Sequence, residues 1–107
     1  MLIRSIVRPD KKETVLAELS RAGYHAATVV DVVGRGKQKG IKIGSMVYDE
    51  IPKTLILMAV QDTDKGRVID VILNAARTGD KGAFGDGKIF VSPLDEAYTI
   101  SSGLKGL

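Results

Sequence analysis

The sequence contains no cysteine and no tryptophan, and it has a single histidine. Without cysteine there are no disulfides, no thiolate metal sites and no cysteine nucleophile, and a reducing compartment suits the chain. Aromatic residues make up only 5%, which argues against the rows of stacking rings that hold single-stranded nucleic acid. Long apolar runs are also missing. The longest carry Arg4, Asp31 or Lys53 at their edges, so none reaches the roughly 20 residues of a membrane-spanning helix. The opening MLIRSIVRPD has no long apolar segment and no small-residue cleavage site, unlike a secretory signal. These absences lead us to expect a cytoplasmic protein with no membrane insertion.

What is present suits one small domain over residues 1–107, with 44% hydrophobic residues to form a core. A net charge of +3 permits anionic ligands without implying DNA binding. Leu2–Arg8 alternates, is β-branched and stops at Pro9, as a strand does. Asp10 with Glu13 spells a capping box. Val15, Leu16, Leu19 and Ala22 then share one helical face, and Gly23 is placed to end the helix. His25–Val33 and Thr54–Val60 read as strands. Lys65–Arg77 reads as a helix capped by Asp62 or Asp64, with Val68, Ile69, Ile72, Ala75 and Ala76 as its apolar stripe. Lys88–Leu94 is the last strand, and the tail is a weak element.

The resulting order is strand–helix–strand, repeated once. Right-handed crossovers predict an α+β, ferredoxin-like βαββαβ sandwich with a four-stranded antiparallel sheet. Two helices cover only one face of that sheet. The apolar residues of the other face then need a partner, and self-association supplies it most simply.

Two glycine-rich stretches interrupt this pattern. GRGKQKGIKIG (Gly34–Gly44) begins like a dinucleotide fingerprint, but Lys39 stands where the third glycine belongs and no helix follows. GAFGDGK (Gly82–Lys88) fits the spacing of a P-loop, but Ile89 replaces the Ser or Thr that holds magnesium, and the helix precedes the loop. Neither motif is met. What survives is physical: glycines let backbone N–H groups approach an anion, and Lys37 and Lys88 supply charge. Each loop alone reads as a solvated tip; two at the same sheet edges favour a bound phosphate.

GRGKQKG, the IPK at Ile51–Lys53, and above all Thr78–Gly79 with GDGKIFV (Gly85–Val91) resemble the PII nitrogen-signalling proteins over nearly the whole chain. Within that family, GRGKQKGIKIG, YDEIPKT and KIFVSP…EAYTI are most similar to the PII-like regulators encoded with nitrogenase, specifically the first of two paralogous subunits. The resemblance implies a trimer, either a homotrimer or a hetero-oligomer with a second PII-like chain. It implies ATP or ADP in clefts between subunits, Mg2+, and 2-oxoglutarate as effector. Residues from about 35 to 52 correspond to the T-loop that touches target proteins, with Ile41–Gly44 starting a mobile arm. Residues 78–88 correspond to the B-loop and 97–107 to the C-terminal loop.

Site roles follow position by position from the same resemblance. Gly34, Gly36 and Lys37 match the base of the T-loop around the nucleotide. Gln38 matches the glutamine that joins the Mg2+ shared by ATP and 2-oxoglutarate. Lys39 and Gly40 match the turn around the organic acid, and Lys53 the lysine that pairs with its carboxylate. Gly85, Asp86, Gly87 and Lys88 match the phosphate-holding loop, and Ile6 and Thr28 lie near the base. The sequence departs from the family in four places. Thr99 and Ser101 stand where two arginines usually reach the phosphates. Met46 falls at the modified tyrosine of a longer T-loop, with Tyr48 offset. Asp80–Phe84 lengthens the B-loop, and Leu57 replaces a glutamate.

Other residues draw structural readings. His25 sits at a helix-to-strand turn. Asp86 has no nucleophile or second titrating group near it in sequence, which favours an Asx-type loop bond over general-base chemistry. Met46 and Met58 read as packing, Arg4 and Arg8 as a solvated strand edge or subunit contact, and Tyr98 as a packing anchor for the tail. The function implied is a non-enzymatic sensor whose target is dinitrogenase; a regulator of an ammonium transporter is the alternative. A small acyl-phosphate hydrolase would need an arginine and a water-positioning group in one anion loop, and a nucleic-acid binder would need exposed aromatics on the central strands.

Overall fold

A computed structural model of the chain describes residues 1–35, 41–43, 46–48 and 50–107. The strands are β1 (Leu2–Val7), β2 (Thr28–Gly34), β3 (Ile41–Ile43), β4 (Met46–Tyr48), β5 (Ile51–Ala59) and β6 (Gly87–Ser92), and the helices are α1 (Lys12–Arg21) and α2 (Lys65–Ala76). The main sheet has the order β2-β5-β1-β6, and its pairings are all antiparallel. This is the expected ferredoxin-like sandwich, with the two crossover helices on one face.

The core lies between that face and the helices. Ile3 and Val7 of β1, Ile56 and Met58 of β5, Val15 and Leu19 of α1, and Val68, Ile72 and Ala76 of α2 are buried together. Both apolar stripes therefore face inward as the 3.6-residue period requires. The alternate positions, Arg4 and Ile6 of β1 with Leu55 and Leu57 of β5, point to the uncovered face and are half-buried or exposed.

Several local expectations need correction. Neither capping signal works as written. Pro9–Lys11 forms a 3-10 turn, with Lys11 N–H donating to Arg8 O at 3.0 Å. Helix α1 then starts at Lys12 without a side-chain cap, because Asp10 has been drawn into the preceding turn, where the fixed φ of Pro9 begins it. Asp62 and Asp64 likewise lie in a 3-10 turn. Asp64 instead accepts a hydrogen bond from the Tyr24 hydroxyl at 3.1 Å, which ties the end of α1 to the start of α2. The α1 exit matches expectation. Gly23 has φ +99°, and Gly23 N–H and Tyr24 N–H donate to Ser20 O at 3.0 Å and Leu19 O at 2.8 Å, the paired bonds of a Schellman motif.

Strand β2 begins at Thr28, so His25–Ala27 is outside it, and β5 runs over Ile51–Ala59, three residues earlier at its start than the expected Thr54–Val60. Within the expected T-loop, Ile41–Ile43 form β3, which pairs with β4 in a separate two-stranded ribbon. Tyr98 is not a packing anchor. It is 58% exposed, donates to Glu96 at 2.8 Å and pairs through its backbone with Lys105.

Candidate functional site

The register of the sheet assembles the site. Val7 pairs with Thr54 on one side and with Gly87 on the other. One step further along the same antiparallel register, Arg8 falls between Lys53 and Asp86. Pro9 holds Arg8 extended (φ −61°, ψ 140°), as a residue before proline prefers, so its side chain continues the alternation of Arg4 and Ile6 onto the uncovered face. Two cations and the glycine-rich loop thus meet at one end of the sheet.

The contacts are specific. Arg8 Nε donates to Asp86 Oδ1 at 2.9 Å, and Arg8 Nη2 donates to Phe84 O at 2.6 Å. Lys53 Nζ donates to Gly85 O. The Asp86 carboxylate also accepts from Thr78 Oγ1 at 2.6 Å, Thr78 N–H at 3.0 Å and Ala83 N–H at 2.8 Å. Asp86 therefore knots the loop from inside, but through Thr78 and Ala83 upstream of it and not through the N–H two residues on, as the expected Asx-type bond would require. Its Thr78 bonds, with those of Ala83 and Arg8, hold the carboxyl well below the usual carboxylate range. Burial, reinforced by the neighbouring Arg8 guanidinium, holds the Lys53 ammonium below its ordinary value.

Backbone freedom makes this closeness possible. Gly85 has φ +88°, and a Cβ there would come within 3.3 Å of Arg8 Nη2. Gly87 has φ +118°, and a Cβ there would overlap the carbonyl oxygen of Ile6. Gly34 closes the other side: its missing Cβ faces Lys53 Cγ at 3.8 Å.

Ile6, Gly87 and Lys88 line a cleft of about 470 Å³ between β6 and α2, together with Ile72, Arg77 and Ile89. The cleft is apolar within and carries Arg77, Asp86 and Lys88 at its rim, the composition of a small-ligand site. Thr28 is elsewhere. It pairs with Leu57 on the opposite edge strand, so one chain does not bring it to the loop. Gly36, Lys37, Gln38, Lys39 and Gly40 lie outside the described residues, as does the side chain of Met46.

Arg8 is the principal residue that sequence reasoning missed. Its sequence position reads as a solvated strand edge or a subunit contact, whereas it is half-buried and engaged with the loop. The signal was available in the register: an arginine ending the central strand before a proline, opposite GDGK. Thr78 was named only as part of the loop, not as the donor that fixes Asp86. Among the described residues no three acidic or histidine side chains gather as a metal site, and no helix is long and apolar enough to cross a membrane. The residues present fit an anionic group: two cations beside glycine backbone, with the one acid already satisfied by the loop.

Comparison with known proteins shows the family of the chain. Residues 1–103 match the family described as Nitrogen regulatory protein P-II. The chain is 52% identical over 106 residues to the "Nitrogen fixation nifHD region glnB-like protein 1" of Methanococcus maripaludis strain S2, covering 99% of this chain and 98% of that one. It is 49% identical over 106 residues to the protein of the same description from Methanothermococcus thermolithotrophicus, with the same coverage. It is 43% identical over 108 residues to "Nitrogen regulatory protein P-II 2" of Methanothermobacter thermautotrophicus, covering 97% and 91%.

Proposed function

Since the chain belongs to the nitrogen regulatory protein P-II family, we propose that it is a non-catalytic sensor that binds ATP or ADP together with 2-oxoglutarate and controls nitrogenase through its T-loop. The observation that carries this reading is the convergence of Arg8, Lys53 and the Gly85–Lys88 loop at one end of the sheet. A lysine ammonium and an arginine guanidinium side by side suit a carboxylate or phosphate.

Lys53, with Gly34 beside it, would receive the organic acid, and Gly85, Gly87 and Lys88 would hold phosphates. Ile6, beside Leu55 on the uncovered face, would face the nucleotide base. Gln38, between Lys37 and Lys39, would add an oxygen ligand for Mg2+ that arrives with the phosphates, since magnesium favours oxygen ligands and keeps substrate phosphate in its shell. Thr28, on the far edge strand, would serve the cleft of a neighbouring subunit. That role requires an oligomer: a homotrimer, or a mixed assembly with a second PII-like chain. Thr99 and Ser101 leave the tail without the usual phosphate-binding arginines, which a partner chain would supply. Asp86 does not act as a base, because its carboxylate is committed to Thr78, Ala83 and Arg8.

The nif-region descriptions of the relatives support dinitrogenase as the target and hence the cytoplasm as the location. Bound effectors would differ in the T-loop arrangement they favour, and that difference sets affinity for the target. Calorimetry tests the first step. Titration of 2-oxoglutarate into the protein with Mg-ATP is expected to give saturable heat; none, even with the partner chain present, would sink the reading.

A further inference from the structure

The loop that meets Arg8 and Lys53 presents them with carbonyl oxygens, the wrong polarity for an anion site. Phe84 O takes Arg8 and Gly85 O takes Lys53. These oxygens belong to a tight turn. Asp86 N–H donates to Ala83 O at 3.2 Å, which places Phe84 and Gly85 at its centre. Gly85 has φ +88°, the left-handed value that the third position of a type II turn requires. The peptide between Phe84 and Gly85 carries both the Phe84 oxygen and the Gly85 N–H. Rotating that one peptide converts a type II turn into type I while the ends of the turn stay in place.

We propose that the Phe84–Gly85 peptide is an anion-operated switch: a carboxylate or phosphate that takes Arg8 flips it, so that the Phe84 oxygen leaves the cation and the Gly85 N–H turns toward the anion. This rests on the reading above that anions reach this end of the sheet. The chemistry favours exchange. A cation bonded to a neutral carbonyl gains by pairing with an ionised acceptor, roughly doubling the bond's strength. Asp86 does not compete, because three of its bonds go to Thr78 and Ala83, outside the rotating peptide. The flip also has a readout. Phe84 sits next to the rotating bond and is 84% exposed, so its ring moves in open solvent and gives the loop an occupancy-dependent surface.

Gly85→Ala separates this switch from a static cradle. Alanine disfavours φ > 0 by about 1 kcal/mol, so it weakens the resting turn and favours the flipped one, where φ at that position is negative. The variant is therefore expected to bind inorganic phosphate, 2-oxoglutarate or Mg-ATP, whichever the parent binds in calorimetry, about fivefold more tightly. Binding that is equal or weaker overturns the switch. The three ligands, titrated separately, distinguish a carboxylate from a phosphate trigger.

Phe84→Trp, the only tryptophan such a chain would hold, gives the second measurement. Its emission is expected to shift on binding in the parent background and to be shifted already, without ligand, in the Gly85→Ala background. Binding heat without any emission change overturns the switch and leaves the functional reading standing. A ligand-free shift in the Gly85→Ala background with no binding heat from any of the three ligands shows that the peptide turns but overturns an anion as its trigger, and it removes the functional reading as well. Absence of both removes both.

Discussion

Arg8 Nε and Asp86 Oδ1 lie 2.9 Å apart and join positions separated by 78 residues. The pair fastens the end of β1 to the glycine-rich loop, and both side chains are less than one-third exposed. Replacing Asp86 with Asn keeps the shape but removes the charge that Arg8 and the two Thr78 donors converge on. Hydrogen bonds to a charged group contribute about 1.5–3 kcal/mol, and solvent screening puts this set at about the lower end. Urea unfolding of Asp86→Asn is expected to show a loss of about 2 kcal/mol; an unchanged midpoint would show that the loop does not depend on the carboxylate.

The same carboxylate gives the protein an acid-sensitive loop. Asp86 is held well below the usual range, chiefly by the Thr78 hydroxyl and then by the Thr78 N–H. A carboxyl with a depressed folded value stabilises the fold fully above its unfolded value, about 3.9 for aspartate, and loses that contribution as pH falls below it. Stability measured by chemical unfolding should therefore decline from about pH 4 downward. Asp86→Asn should flatten that limb while the rest of the profile keeps its form.

Gly87 tests how closely the loop is built onto the sheet. A methyl group there would enter the Ile6 carbonyl, and φ is +118°. Gly87→Ala is expected to break the β1–β6 register at Val7 and lower stability by more than about 3 kcal/mol. Gly79 also has positive φ, +64°, but a Cβ there meets nothing within 4 Å. Gly79→Ala is thus expected to lose only about 1 kcal/mol. Circular-dichroism melts of the two variants would separate a steric requirement from a purely conformational one.

Much of this arrangement was legible in the sequence, and the failures have physical causes. The apolar periodicities of both helices survived because burial enforces them: Val15, Leu19, Val68 and Ile72 are in the core. Gly23 could be read because a left-handed helix exit selects glycine. Asp10 misled because Pro9 draws it into the preceding turn, and Asp64 because its partner, the Tyr24 hydroxyl, is distant in sequence. Arg8 was misread for the same reason, since its partners lie in a loop some 76 to 78 residues away. The family resemblance brought Lys53 and Gly85–Lys88 into view, whereas only the pairing of Val7 with both Thr54 and Gly87 puts Arg8 among them.

Ser5 offers a contrasting prediction from the core. It is fully buried on the helix-facing side of β1, and its hydroxyl has no hydrogen-bond partner among the described residues. A buried hydroxyl without a partner is a desolvation penalty of about 1–3 kcal/mol. Ser5→Ala removes that group and leaves almost no cavity, so thermal unfolding should show equal or higher stability, by up to about 1 kcal/mol. A marked loss would mean that the hydroxyl has a partner in the assembled protein.

The uncovered sheet face decides whether Thr28 can serve the site. Strand register places Val30 beside Leu55 and Phe90 beside Arg4 on that face, and Val30 and Phe90 remain 45% and 48% exposed. An exposed apolar face of this kind marks an interaction surface, and a second copy covers it with no further component. Leu55→Asp sets a charge at its centre, where a subunit contact would have to desolvate it. Sedimentation is expected to give an oligomer for the parent and a monomer for Leu55→Asp, with Arg21→Ser on the outer surface of α1 as an unaffected control. Nucleotide binding should fall with the oligomer, because Thr28 and the Gly85–Lys88 loop lie at opposite edges of one sheet and only a neighbouring copy can bring them together. A monomeric parent that binds ATP as tightly as the assembly would separate Thr28 from the site and confine nucleotide recognition to the cleft between β6 and α2.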